Sequence, residues 1–221
     1  MEKLNQMIDH TLLKPTASRE DILHLCEEAK KYKFKTVCVH PCHIKTCVTA
    51  LEGTQVGVCT VIGFPLGANL PNVKSFETRL AIDAGAQEVD MVINIGALKE
   101  GRDKLVTDEI ASVVEAAAGR VVKVILETGL LKDEEIIRAC RCATEAKAHF
   151  VKTSTGFAGS GATVAAVSLM KANISPEMQV KASGGIRDLA SAEKMINAGA
   201  GRLGASASVA IVTGGSTQEA Y

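Results

Sequence analysis

The chain has 221 residues, a length that predicts one domain. Hydrophobic residues make up 47% and charged residues 23%, the balance of a soluble globular protein with a large core. The 25 basic residues cancel the 25 acidic ones and form no cluster. Nucleic acids and anionic membranes are therefore excluded as expected partners, because both need a positive surface. No run is apolar enough to span a bilayer, and the first five residues carry no signal-peptide segment.

Seven cysteines, an odd number, are scattered along the chain. This usage predicts reduced thiols in the cytoplasm rather than a disulfide framework. Five potential metal ligands lie close together in the sequence: Cys38, His40, Cys42, His43 and Cys47. Their spacing matches no paired C-x-x-C site, and Pro41 interrupts it. A structural origin is therefore favoured, with metal binding as the alternative.

Short runs of β-branched residues alternate with amphipathic helical segments along the whole chain. Helix 18–32 has Ile22, Leu25 and Cys26 on one face, and Ser18 with Asp21 forms its predicted N-terminal cap. Similar spacing predicts a helix over 132–147 and another that includes 189–196. The predicted strands cover residues 7–11, 36–40, 56–63, 88–94, 121–127, 149–154, 179–183 and 202–205.

Repeated strand-then-helix units require a parallel sheet, because right-handed helical crossovers return each strand beside the last. Eight such units close most naturally into a (β/α)8 barrel, also called a TIM barrel. We therefore expect one barrel domain over residues 1–221, with 215–221 as a flexible C-terminal tail. An open, doubly wound sheet is the alternative.

Polar residues inside the apolar strands mark the candidate site, because barrel enzymes place their chemistry at the carboxyl ends of the strands. Asp90 lies in the fourth strand, Lys152 in the sixth and Lys181 in the seventh. Lys123 and Glu127 share one face of the fifth strand, so an ion pair between them is the structural interpretation of Lys123. A lysine in a core strand is costly to bury unless it is paired or neutral.

Lys152 and Lys181 on neighbouring strands suggest nucleophilic chemistry. Two ammonium groups ~4 Å apart repel by about 4 kcal/mol at an effective dielectric constant near 20. That repulsion corresponds to about three pKa units, enough to leave one lysine as a neutral amine near pH 7. Such an amine can form a Schiff base with a carbonyl compound. The residues alone do not say which lysine is the nucleophile.

Glycine-rich turns provide a second signal. The turns at 183–187 and 204–206 follow the seventh and eighth strands, where barrels bind phosphate through backbone N–H groups. Simple tight turns are the alternative. The segment 156–163 has the spacing of a nucleotide-binding P-loop, but Ala162 stands where that motif needs lysine.

Seven segments spread over nearly the whole chain resemble the deoxyribose-phosphate aldolases, a family of class I aldolases. The segments around Lys152 and Lys181 are together highly specific for this family. The matching segments are residues 8–15, 62–68, 88–97, 123–128, 150–157, 181–187 and 202–206.

The resemblance implies reversible cleavage of 2-deoxy-D-ribose 5-phosphate into acetaldehyde and D-glyceraldehyde 3-phosphate, without a metal or an organic cofactor. By motif, Lys152 matches the lysine that forms the Schiff base, and Lys181 matches the second lysine, which lowers the pKa of the first. Asp90 matches the carboxylate that transfers protons through a water molecule. The implied partners are small-molecule phosphosugars and aldehydes.

The resemblance also assigns binding residues. Thr155 matches a residue near the substrate hydroxyl groups. Phe157 stands where some relatives carry a lysine, so backbone dipoles and Arg187 would have to meet the phosphate charge. Tyr221 ends the chain, as a tyrosine does in some relatives, and could fold over the site. The implied phosphate-binding positions are Gly156, Gly184, Gly185, Gly204 and Ser206.

Two other functions stay open at this point. One is another class I phosphosugar aldolase, or an isomerase, on the same barrel; the other is a non-catalytic sensor of sugar phosphates. We expect a homodimer or homotetramer, because barrels of this size often pair through exposed helices. No patch in the sequence identifies the surface.

Overall fold

The computed structural model of the protein describes residues 2–215, and within them eight parallel strands form a closed barrel. Each strand pairs with the next, and the eighth pairs with the first. The predicted (β/α)8 barrel is therefore confirmed, and each predicted strand overlaps an observed one. The strands are β1 Ile8–Leu12, β2 Thr36–Val39, β3 Gly57–Ile62, β4 Glu88–Val92, β5 Val121–Ile125, β6 Phe150–Lys152, β7 Gln179–Ser183 and β8 Ala200–Ala205.

Helices lie between successive strands, and their apolar faces pack on the outside of the barrel. None of the helices between residues 2 and 215 has the length and apolar character needed to cross a membrane. Most of the predicted tail, including Tyr221, lies outside the described residues. The helices are α1 Glu2–Asn5, α2 Arg19–Tyr32, α3 Ile44–Ala50, α4 Pro71–Asp83, α5 Ile95–Lys99, α6 Asp103–Ala116, α7 Asp133–Glu145, α8 Val164–Ala172, α9 Leu189–Asn197 and α10 Ser208–Thr213.

The start of α2 is capped as the sequence predicts. The Ser18 hydroxyl accepts a hydrogen bond from the Asp21 backbone N–H at 3.2 Å, and the Asp21 carboxylate accepts from the Ser18 backbone N–H at 2.7 Å. This reciprocal pair satisfies two N–H groups that the first helical turn leaves free. The predicted face of α2, including Ile22 and Cys26, is buried against the barrel.

Strand register explains why charged side chains meet inside the barrel. Lys152 lies opposite Lys181, and Lys181 lies opposite Arg202 on the next strand. Asp90 lies opposite Lys123. Side chains alternate between the two faces of a strand, so residues at one level of a closed barrel point together into its interior.

A buried ion pair ties the loop after β3 to the end of β4. The Lys74 ammonium of α4 donates to Glu109 on α6 at 2.7 Å, and to the carbonyl oxygens of Gly67 and Val92. The second Glu109 oxygen accepts from the Asn94 backbone N–H at 3.0 Å. Burial lowers the pKa of Lys74 and raises that of Glu109, so each group depends on the other to keep its charge.

We predict that Lys74→Met lowers the free energy of unfolding by about 3–5 kcal/mol, because it leaves the Glu109 carboxylate buried without its partner. Lys74→Met combined with Glu109→Leu should recover part of this loss. Lys104→Met is the control: it breaks the exposed pair with Asp108 and should leave the free energy of unfolding nearly unchanged, because water screens that pair. Urea denaturation measures the free energy of unfolding of all three variants. Equal losses of stability for Lys74→Met and Lys104→Met would contradict the prediction.

Candidate active site

Seven ionisable side chains fill the barrel interior and form what we call the charge cluster. All seven are buried, and among the described residues they comprise four cations and three carboxylates. Buried charges are stable only when opposite charges surround them. The cations are Lys123, Lys152, Lys181 and Arg202, and the carboxylates are Asp9, Glu88 and Asp90.

Asp90 lies at the centre of the charge cluster. One oxygen, Oδ1, accepts from the Lys123 ammonium at 2.8 Å and from the Cys59 thiol at 3.2 Å. The other, Oδ2, accepts from Lys152 at 2.7 Å and from Lys181 at 2.8 Å. Burial alone would raise the pKa of Asp90, but the three ammonium groups hold it well below its usual range.

Lys152 and Lys181 are therefore close neighbours, since both contact the same oxygen atom of Asp90. Lys181 also contacts Asp9, at 2.5 Å. Burial opposes the charged form of Lys181, but Asp9 and Asp90 outweigh it and raise the pKa of this lysine. Lys181 is consequently held as an ammonium ion. Repulsion between the two lysines is thus only one part of the charge balance, because carboxylates surround Lys181 as well.

Lys152 has the fewest carboxylate partners of the four cations. Among the described residues, Lys123 contacts Asp9, Glu88 and Asp90, whereas Lys152 contacts Asp90 alone. The cluster also holds one more cation than carboxylates. Of the four cations, Lys152 is therefore the one tied to the cluster by the fewest ion pairs.

The predicted ion pair between Lys123 and Glu127 is not formed. Lys123 contacts Glu88 at 2.6 Å and Asp90 at 2.8 Å instead. The reason is that β5 ends at Ile125, and Glu127 adopts a left-handed backbone conformation, with φ 58°. The alternation that would place Glu127 on the face of Lys123 does not extend past the strand end.

Sequence reasoning missed three members of the charge cluster. Arg202 on β8 donates to Asp9 at 2.7 Å and to Glu88 at 2.9 Å. Ion pairing holds the pKa of Asp9 below its usual value even though burial opposes this. Asp9 could have been found in the sequence as Asp90 was, because it too is a polar residue inside an apolar strand.

The predicted phosphate-binding residues line one cavity of about 200 Å³ at the carboxyl ends of β6, β7 and β8. Glycine is required where its walls meet, because a Cβ on Gly161 would lie 2.1 Å from the carbonyl oxygen of Gly184. The Thr155 side chain is buried beside the cavity rather than lining it. Five of the lining residues are those predicted to bind phosphate: Gly156, Gly184, Gly185, Gly204 and Ser206.

The side chains around this cavity carry little positive charge. Among its lining residues Arg187 is the only cation. Phe157 is 42% exposed and packs edge-to-face against Phe64, with ring centroids 5.3 Å apart. An anion in the cavity would therefore meet Arg187 and the backbone N–H groups that the glycines leave accessible.

The cysteines and histidines that are close in the sequence are separated by the fold. Cys42 is exposed, whereas Cys38 and Cys47 are buried in different parts of the core. The His40 ring lies 2.9 Å from the Leu13 carbonyl oxygen. Cys38 instead lies near the Cys59 thiol and the Asp90 carboxylate, whose ligand atoms are all within 4.8 Å of one another.

Known proteins resemble this chain over almost its whole length. The sequence pattern of the DeoC/LacD family aldolases matches residues 3–214. A curated deoxyribose-phosphate aldolase from Geobacillus sp. (strain WCH70) is 56% identical over 98% of this chain and 97% of its own. One from Bdellovibrio bacteriovorus is 55% identical over 99% of this chain and 100% of its own.

A solved structure agrees with these sequences. The tetrameric deoxyribose phosphate aldolase from Aeropyrum pernix is 36% identical and superimposes with a TM-score of 0.90, over 96% of this chain and 90% of its own. With its closed barrel, its paired lysines and these relatives, the chain belongs to the DeoC/LacD family of aldolases.

Proposed function

We propose that this aldolase cleaves 2-deoxy-D-ribose 5-phosphate reversibly into acetaldehyde and D-glyceraldehyde 3-phosphate, through a Schiff base on Lys152. The observation that carries the proposal is the contact of Lys152 and Lys181 with one oxygen of Asp90, beside the glycine-lined cavity. Gly204 joins the two parts of the site: it lines the cavity, and a Cβ on it would lie 2.9 Å from the Lys181 side chain. The relatives that are more than half identical bear the name of this activity.

Lys152 is the nucleophile. Lys181 keeps its proton because Asp9 and Asp90 surround it, which leaves the amine of Lys152 as the nucleophile. This amine attacks C1 of the open-chain sugar, and water leaves as the iminium ion forms. The positive iminium nitrogen then accepts the electron pair released when the C2–C3 bond breaks, so this step needs no metal ion.

Asp90, with Lys181 in contact with it, transfers the proton that the reaction releases. As the C2–C3 bond breaks, the C3 hydroxyl loses its proton through a water molecule to Asp90. Because the pKa of Asp90 is held low, this carboxylate does not retain the proton but passes it to C2 of the enamine. Hydrolysis of the resulting iminium then frees acetaldehyde and restores Lys152.

The phosphate group fixes the far end of the substrate. Backbone N–H groups around Gly184 and Gly204, with Arg187, bind it in the cavity. Binding energy from this remote group orients C1 toward Lys152 and so lowers the barrier to reaction.

We also propose that the protein acts in the cytoplasm. Its seven cysteines are free thiols, and six of them are buried in the apolar interior. Such usage suits a reducing compartment.

We further propose that the protein self-associates as a homodimer or homotetramer through an apolar stripe on α4. Val73, Phe76 and Leu80 are each about half exposed, and Leu70 just before the helix is 73% exposed. Their spacing of three and four residues places them along one side of the helix. A contiguous apolar stripe on a soluble protein usually marks an interface. The relative from Aeropyrum pernix is itself tetrameric.

Reduction with borohydride in the presence of acetaldehyde should convert Lys152 into ethyl-lysine, because borohydride traps the iminium ion. Peptide mass spectrometry locates the label. Lys152→Arg should take up no label under the same conditions, and Lys45→Arg, which alters an exposed lysine, should label normally at Lys152. Label on Lys123 or Lys181 in the unaltered protein would overturn the assignment.

Lys181→Leu should reduce kcat by about 100-fold or more, because the nearby ammonium ion and its proton are lost from the relay. Circular dichroism checks that the barrel remains folded, and Lys45→Leu serves as the exposed control. The rate is measured as acetaldehyde released from 2-deoxy-D-ribose 5-phosphate. Turnover close to that of the unaltered protein would refute the role of Lys181.

Leu70→Glu combined with Phe76→Glu should shift the protein from oligomer to monomer, because charges on the stripe oppose its burial. Analytical ultracentrifugation measures the mass. Val48→Glu introduces a charge at an exposed apolar residue on α3 and should leave the oligomer intact. A monomer before any substitution, or dissociation by Val48→Glu alone, would contradict the proposed interface.

A further inference from the structure

A buried carboxylate that the mechanism above does not use lies just beyond β5. Glu127 is 1% exposed, and its backbone has a φ of 58°. Residues other than glycine adopt this left-handed conformation only at a cost in conformational energy. The other non-glycine residues with positive φ in the described chain are Lys33, Ala118 and Lys147, all of them exposed and following helices. Glu127 is thus the strained residue at the catalytic end of the barrel.

The strained backbone directs Glu127 to Thr155. One carboxylate oxygen, Oε2, accepts both the backbone N–H of Thr155, at 3.1 Å, and its hydroxyl proton. The Thr155 hydroxyl oxygen accepts in turn from the backbone N–H of Phe157 at 3.0 Å. Within residues 2–215, the other Glu127 oxygen, Oε1, is buried without a hydrogen-bond partner, so the contact with Thr155 is the one that holds the carboxylate in place.

This arrangement fixes the direction of the Thr155 hydroxyl. A threonine hydroxyl has one proton to donate and two lone pairs to accept with. Glu127 Oε2 takes the proton, because this oxygen already accepts the Thr155 backbone N–H, and the backbone N–H of Phe157 donates to one lone pair. Toward any ligand, Thr155 therefore offers the remaining lone pair and no proton.

The position of Thr155 indicates which ligand group it meets. It lies three residues after Lys152, which would hold C1 of the sugar, and directly before Gly156, which lines the cavity for the phosphate on C5. Of the hydroxyl groups between these two ends, that on C3 gives up its proton in the reaction. The hydroxyl on C4 remains, and in the synthetic direction it is the hydroxyl next to the carbonyl of glyceraldehyde 3-phosphate.

We propose that Glu127 is a positioning residue that makes Thr155 a hydrogen-bond acceptor, so that the enzyme selects phosphorylated aldehydes with a hydroxyl group next to the carbonyl. The inference rests on the proposed function and adds the specificity of the enzyme for its acceptor aldehyde. An aldehyde without this hydroxyl leaves a buried acceptor unpaired, which is the arrangement that discriminates most strongly between a substrate and its deoxy analogue.

The test compares two acceptor aldehydes in the synthetic direction, with acetaldehyde as the common donor. D-Glyceraldehyde 3-phosphate carries the hydroxyl, and 3-oxopropyl phosphate lacks it. We expect the unaltered enzyme to favour the first by at least 10-fold in kcat/KM. Glu127→Gln should lower this ratio by about 10-fold, because the amide of glutamine can donate to Thr155 and release the hydroxyl from its acceptor role.

Variants of Thr155 keep the test decisive if Glu127→Gln folds poorly. Thr155→Val removes the hydroxyl and should lower the ratio of the two kcat/KM values by a similar factor. Thr155→Ser keeps the hydroxyl and should leave that ratio unchanged. Adding Glu127→Gln to Thr155→Val should lower the ratio no further, because Glu127 acts through that hydroxyl. The exposed Glu134→Gln is the control for loss of a negative charge.

An equal loss of kcat/KM for both aldehydes in Glu127→Gln and Thr155→Val would overturn the inference, since it would show a purely structural role. An unchanged ratio in Thr155→Val would overturn it as well. These outcomes differ from failure of the proposed function itself, in which the unaltered protein would form no trapped adduct on Lys152 and condense neither aldehyde.

Discussion

Three ammonium groups converge on the single buried carboxylate of Asp90, and the arrangement of the site depends on this convergence. Burying seven charges costs several kcal/mol per ion before their mutual attraction is counted, and a packed apolar interior is often more stable. The extensive apolar core between strands and helices offsets that cost. A barrel that keeps charges at its centre therefore sacrifices stability for chemistry, as active sites often do.

The charge balance within the cluster gives each lysine its role. Lys123 and Arg202 neutralise Asp9 and Glu88, and Lys181 is held charged between Asp9 and Asp90. Lys152 forms an ion pair with one carboxylate of the cluster, Asp90. Repulsion between cations matters, but the uneven distribution of carboxylates is what distinguishes the two lysines, and the proposed role of Lys152 as the nucleophile rests on it.

The glycine-lined cavity and the charge cluster are joined through short stretches of backbone. Lys152 and Gly156 lie on one strand and its following loop, and Lys181 and Gly184 lie on the next. The parallel register places both pairs at the same end of the barrel, so the cavity and the paired lysines lie close to each other. Glu127 adds a third element, which orients a hydroxyl group between these two ends.

Much of the fold and of the candidate site could be predicted from the amino-acid sequence alone. Alternating strand and helix patterns predicted the eight-stranded barrel, and the cost of a lysine in an apolar strand identified Lys152 and Lys181. Glycines after the last strands predicted the residues that line the cavity. Local pattern sufficed for these features because hydrophobic periodicity and backbone freedom are properties of neighbouring residues. The same reasoning paired Lys123 with Glu127, because it assumed that the strand continued past Ile125.

The amino-acid sequence by itself determined the barrel, the lysine-bearing strands and the glycine-rich turns, since these follow from interactions within short segments. Only the tertiary structure decided that Asp9, Glu88 and Arg202 complete the charge cluster, that Lys181 keeps its proton, and that Glu127 turns to Thr155. Those outcomes depend on distances between residues up to 193 positions apart in the chain. Electrostatic energy varies with separation in space, and closure of the barrel sets that separation.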